Sequence, residues 1–143
     1  MIDIYKAYLA DLESIGVRYA SANAYYMTVV SALLGVLVFA EGKKALSDMR
    51  LEIVLSVCVF SMLICWIWRK SIHFYRALFD VKFMVLRNLE LQLPFQAFTD
   101  EGRILADRKI ESLLQNERWV PTLLMGFFGL LAATALIRLV FLR

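Results

Sequence analysis

The sequence predicts an all-α integral membrane protein with three transmembrane helices, an N-terminal amphipathic helix and a cytoplasmic helical stalk or hairpin, assembling as a homo-oligomer. Three observations carry that reading. Hydrophobic residues make up 61% of the 143 positions, whereas a soluble domain is nearer half apolar. The surplus lies in three uncharged runs, 19–40, 53–68 and 119–137, close to the roughly 17–25 residues a helix needs to cross hydrocarbon. Every charged residue falls outside those runs.

Residues 1–18 form the first element. Ile4, Tyr8, Leu12, Ile15 and Tyr19 recur every three or four positions, the spacing of one helical face. Asp3, Lys6, Asp11, Glu13 and Arg18 occupy the other sides. Such a helix lies on the membrane surface or on its neighbours, or acts as a lid over a pore. Its acidic residues, and a following apolar run longer than a signal core, predict that the run is retained as a membrane helix.

The first span, 19–40, carries a small and polar stripe: Ser21, Ala24, Thr28, Ser31 and Gly35, with Asn23 beside it. In lipid such a stripe serves helix–helix contact or lines an aqueous path. On the second reading Asn23, Thr28, Ser31 and Gly35 are the candidate pore-lining residues. Residues 41–52 are a short charged connection, which makes the first two spans an antiparallel hairpin.

The second span, 53–68, ends on Trp66 and Trp68, read with Trp119 as interfacial anchors. The pattern then continues without Gly or Pro to Pro94. Ile72, Tyr75, Phe79, Phe83 and Leu86 keep an apolar face of helical period. Arg69, His73, Arg76, Asp80 and Arg87 lie largely away from it, and Arg76 and Asp80 are spaced to pair. Pro94 breaks the helix, with Phe95 and Phe98 packing in the turn. Residues 103–118 read as a further helix with Ile104, Ile110, Leu113 and Leu114 inward, so that 69–118 is the cytoplasmic helical region. The third span, 119–137, has Pro121 in its first turn, where a missing N–H is tolerated. Gly126, Gly129 and Ala133 form a small stripe suited to close packing, with Phe127 and Phe128 on other faces.

Lys and Arg number 11 on the side of the N-terminus and residues 69–118, against 5 on the other. The positive-inside rule therefore puts the N-terminus in the cytoplasm and the C-terminus outside.

Several motifs together resemble a family of small bacterial inner-membrane effectors of anti-phage defence, of the Hailong transmembrane type. They are Ser21-Ala-Asn-Ala-Tyr-Tyr26, His73-Phe-Tyr-Arg-Ala-Leu78, Val81-Lys-Phe-Met-Val-Leu-Arg-Asn-Leu-Glu90, Leu93-Pro-Phe-Gln-Ala-Phe98 and Glu117-Arg-Trp-Val-Pro121. The chain departs from the family pattern at Gly102, where a Trp often follows the acidic residue, and at Ala97, which replaces a second proline. The resemblance implies an oligomeric channel that depolarises the inner membrane and arrests infected cells. It further implies control by a nucleotide-type ligand, an oligonucleotide or cyclic nucleotide, made by a nucleotidyltransferase partner.

Three helices leave no water path among themselves, so a pore requires several copies, and four are favoured. The absence of charge from every span argues against a proton relay or ion-coupled transporter, and a weakly selective pore with a hydrophobic constriction fits better. For a polyanionic ligand the candidates are Arg69, Lys70, Arg76, Lys82 and Arg87, with aromatics between them to stack bases. The other reading is that Arg69 and Lys70 hold lipid headgroups and the remainder are a solvated face. A membrane-anchored protein whose cytoplasmic helices recruit a soluble partner is the alternative function. No enzyme and no cofactor is expected. His73 is the only histidine, with no acid–base constellation around it. No His or carboxylate accompanies Cys58 and Cys65 in their run, so they read as packing residues rather than metal ligands.

Overall fold

The computed structural model describes residues 2–42, 50–91, 99–100, 102–104 and 117–141. Three long helices dominate: α1 (Ile2–Gly42), α2 (Arg50–Glu90) and α3 (Trp119–Phe141). All three are long and apolar enough to cross a membrane. Most of the 41–52 connection, the Pro94 turn and nearly all of the expected 103–118 helix lie outside the described residues.

The expected amphipathic helix and first span are one element, because α1 runs unbroken through positions 18 and 19. Nothing in the sequence stops it: the only prolines are Pro94 and Pro121, and Gly16 alone is a tolerable loss of about 1 kcal/mol relative to Ala. In the same way α2 passes from span to stalk without interruption at Trp68 and Arg69. Thr28 and Ser61 donate their hydroxyls to Ala24 O at 2.9 Å and Val57 O at 2.7 Å, and Thr134 donates to Leu131 O at 2.8 Å. Each of those groups is therefore satisfied within its own helix, as a lipid environment demands.

α2 is the middle helix, packing against both α1 and α3. Contacts between α1 and α2 run antiparallel, from Tyr5 against Glu90 to Asn23 against Trp68. The membrane core gathers Val30 of α1, Cys58 and Cys65 of α2, and Phe128 and Ala132 of α3. Lipid tails are as apolar as these side chains, so dispersion contacts and shape hold the cluster together rather than release of water.

The small residues that permit this close approach lie on α2, where Cys58 and Cys65 pack as expected and Ser61 joins them. Cys58, Ser61 and Cys65 make a buried stripe on α2, and both thiols are free. The stripe foreseen on α3 does not face the bundle in the same way. A Cβ at Gly126 would meet nothing within 4 Å, and one at Gly129 would meet only Met62 Sδ at 3.8 Å. Ala133 is exposed. Phe128, expected to face elsewhere, is fully buried, because the short α2 side chains leave room for its ring.

Candidate functional site

The stripe on α1 faces away from the bundle. Ser21, Ala24, Thr28, Ser31 and Gly35 are all exposed in the protomer, and a Cβ at Gly35 would meet nothing within 4 Å. Thus Thr28, Ser31 and Gly35 share one open line. Asn23 does not belong to it. At 100° per residue it sits about 120° away from the stripe, at the seam with α2, where its Oδ1 accepts the indole N–H of Trp68 at 2.8 Å.

The three tryptophans also separate. Trp66 and Trp119 are about half exposed, at 49% and 55%, as interfacial side chains would be. Trp68 is only 3% exposed, stacked on Tyr26 with ring centroids 5.9 Å apart. It braces α1 against α2 instead of reaching the lipid surface.

The five candidate cations of the stalk divide likewise. Arg69, Arg76 and Arg87 fall within about 20° of one line on α2. Arg69 and Arg87 are exposed and Arg76 is half-buried. Asp80 interrupts that line, and among the described residues Arg76 forms no ion pair with it. Lys70 lies on another face, its Nζ 4.0 Å from the Trp66 ring centroid. Lys82 points the opposite way, into the α1 seam. It forms the ion pair with Asp11 and sits 4.7 Å over the Tyr8 ring. A ligand approaching the open face of α2 would meet the three arginines and not Lys82.

The seam itself contains polar contacts that sequence reasoning missed. Glu90 has no solvent exposure. It accepts the Tyr5 hydroxyl at 3.2 Å, the Thr99 backbone N–H at 3.1 Å and the Thr99 hydroxyl at 2.8 Å. One carboxylate therefore joins the start of α1, the end of α2 and the chain beyond the turn. Burial of Tyr5, the negative charge of Glu90 and the bond that Tyr5 donates to Glu90 hold the Tyr5 hydroxyl above the ordinary tyrosine value. At the membrane boundary Tyr19 donates to Glu117, just before α3, and packs edge-on to Tyr75 and Phe79 at 5.4 and 6.2 Å. Helical spacing is a signal that could have exposed Glu90: it continues the series Phe79, Phe83, Leu86 on the buried face. No comparable sequence signal marks Glu117 as the partner of Tyr19, 98 positions away.

A protein-family model described as the octameric membrane protein family matches residues 2–137. The chain belongs to that family. None of the curated proteins and none of the solved structures compared with it matches. Membership in the octameric membrane protein family makes this a small, oligomeric, membrane-embedded protein, in agreement with the helical architecture and assembly expected from its sequence. The family's description names eight copies, which does not support the four favoured from sequence.

Proposed function

We propose that eight copies of this chain form a channel through the bacterial inner membrane, with the exposed face of α1 lining the water path. The observation that carries this reading is the stripe Ser21, Ala24, Thr28, Ser31 and Gly35. It is the polar line of the first span, and α2 leaves it uncovered. Small side chains, with the Thr28 hydroxyl bonded within its own helix, suit a wide path of low selectivity, since they present neither a charge ring nor a cage of carbonyls. The protein acts without catalysis.

The stalk and the N-terminus lie in the cytoplasm and the C-terminus in the periplasm, as the distribution of Lys and Arg favours. There Arg69, Arg76 and Arg87 receive an anionic nucleotide or oligonucleotide supplied by a nucleotidyltransferase partner, and the open channel depolarises the membrane of a phage-infected cell. Support for the defence role and for the partner comes from the motif resemblance; support for the ligand face comes from the shared line of the three arginines.

Expression of the chain alone in bacteria, followed with a voltage-sensitive dye, tests the channel. Loss of membrane potential with growth arrest is expected. Thr28→Leu and Ser31→Leu should each alter single-channel conductance in planar bilayers. An unchanged potential at confirmed membrane expression would leave anchoring of a soluble partner as the function. Conductance untouched by both substitutions would move the water path off this face.

A further inference from the structure

At the end of the bundle away from the stalk, α1 and α3 splay over α2 and leave a groove of about 380 Å³. Leu34 and Leu37 form one wall, Leu131 and Ala135 the other, and Val54 part of the floor. Among the described residues, the one charged side chain lining it is Arg138, in the last turn of α3. We propose that this groove is a phospholipid site: one acyl chain lies between α1 and α3, and the headgroup phosphate rests on the Arg138 guanidinium.

Three features favour that occupant. The groove is apolar along its length and cationic only on the last turn of a span, which reproduces the order of parts in a lipid. A guanidinium forks onto phosphate oxygens, so Arg138 suits an anionic headgroup in either leaflet. Arg138 is exposed and forms no ion pair with any described residue, so its charge is available. Thr134, also on the lining, already donates to Leu131 O at 2.8 Å, and the groove therefore makes no other polar demand. The volume lies at the low end of small-ligand pockets, about 300–1,000 Å³. A single hydrocarbon chain is apolar along its length, as the lining is apart from Thr134 and Arg138.

Among the described residues, the other anion available at this end is the exposed Glu52 of a neighbouring copy. Binding a lipid here places it on the leaflet opposite the stalk and fixes the spacing of α1 and α3.

The test uses the full-length oligomer reconstituted with phosphatidylglycerol, released into mild detergent, and weighed by native mass spectrometry. Retained lipid is expected on the parent protein. Arg138→Gln, a surface change that leaves the packing alone, should lower it several-fold. Ala135→Phe, which fills the groove, should remove it, and Glu52→Gln should leave it unchanged. Equal retention in Arg138→Gln and the parent overturns the proposal, whether or not Ala135→Phe assembles. So does cross-linking of Thr134→Cys between copies by a short bifunctional maleimide with no lipid retained, which would give the groove to a second copy of the chain.

Discussion

Trp68 donates its indole N–H to Asn23 Oδ1 at 2.8 Å, tying the second span to the first across 45 positions of sequence. Each residue is an adequate partner for the other and a poor one for lipid, since an unpaired amide or indole N–H there has no water to turn to. A double-mutant cycle with Trp68→Phe and Asn23→Ala should therefore give a coupling of about 0.6–1.7 kcal/mol, the range of interhelical hydrogen bonds in membranes. Unfolding of the protein in bicelles measures it. A coupling of zero would mean that the two groups meet without holding the helices.

Phe127 and Phe128 are adjacent in sequence and opposite in consequence. Phe128 is fully buried and Phe127 is 49% exposed. Phe128→Ala should cost about 3–5 kcal/mol through the cavity it opens against Cys58 and Cys65. The same change at Phe127 should stay within about 0.5 kcal/mol, as surface substitutions do. Thermal melting of the detergent-purified oligomer compares them directly.

Glu90 satisfies donors from Tyr5 and Thr99 at once. Replacing it with Ala leaves the half-buried donors of Tyr5 and Thr99 without this partner, at up to about 1–3 kcal/mol apiece. Glu90→Gln keeps an acceptor oxygen and should cost less. Amide hydrogen exchange in residues 2–12 reports the outcome: it should speed markedly in Glu90→Ala and modestly in Glu90→Gln. Equal protection in both variants would show that α1 stays seated without this carboxylate.

The Tyr5 hydroxyl, held above its usual value of 10.0 first by burial and then by Glu90, links that seat to pH. The raised value belongs to the folded state, so the stabilisation is complete below pH 10 and is lost as pH rises through the folded value. The stability difference between the parent and Tyr5→Phe should be flat from neutral pH to about 9 and shrink above 10. Melting temperatures taken across pH 7–12 would reveal a constant gap if Tyr5 were not the titrating group.

Lys82 and the arginines should respond differently to charge removal. Because Lys82 is engaged by Asp11 and Tyr8, Lys82→Met should leave binding of an oligonucleotide to the purified protein within about twofold, with any stability loss at or below about 1 kcal/mol. Arg69→Glu combined with Arg87→Glu should weaken binding at least tenfold, since repulsion replaces attraction at two exposed positions. Fluorescence anisotropy with a labelled oligonucleotide distinguishes the two faces.

Architecture was readable because hydropathy and charge alternate so sharply. The spans, the helix continuing past Arg69 and the apolar face through Leu86 all follow from period and length. Facing was harder to read. A transmembrane helix is apolar on every side, so periodicity does not tell a lipid face from a packed one. That is why the sequence did not tell which face of α3 meets α2, where Phe128 is buried and Gly126 and Ala133 are not, and why Trp68 looked like a surface anchor. Long-range polar pairs were the least legible. Asp11–Lys82 and Tyr5–Glu90 depend on the register of two antiparallel helices, which only the packed bundle establishes. Once α1 lies along α2, Lys82 is committed to the seam, and the candidate ligand face narrows to Arg69, Arg76 and Arg87.

The lengths of α1 and α2 carry a consequence for how the assembly would look from the side. Each holds 41 residues, about 60 Å of helix at 1.5 Å per residue, and the hydrocarbon layer takes up about 30 Å. Both overhang on the same side, because they run antiparallel and their extensions are paired from Tyr5–Glu90 to Tyr19–Tyr75. Among the described residues each protomer is therefore lopsided, with two paired helices standing beyond the hydrocarbon layer on the stalk side, and copies inserted the same way would raise a palisade there. An electron micrograph at modest resolution would show which way up it sits, and an antibody fragment against the palisade would report the compartment it occupies.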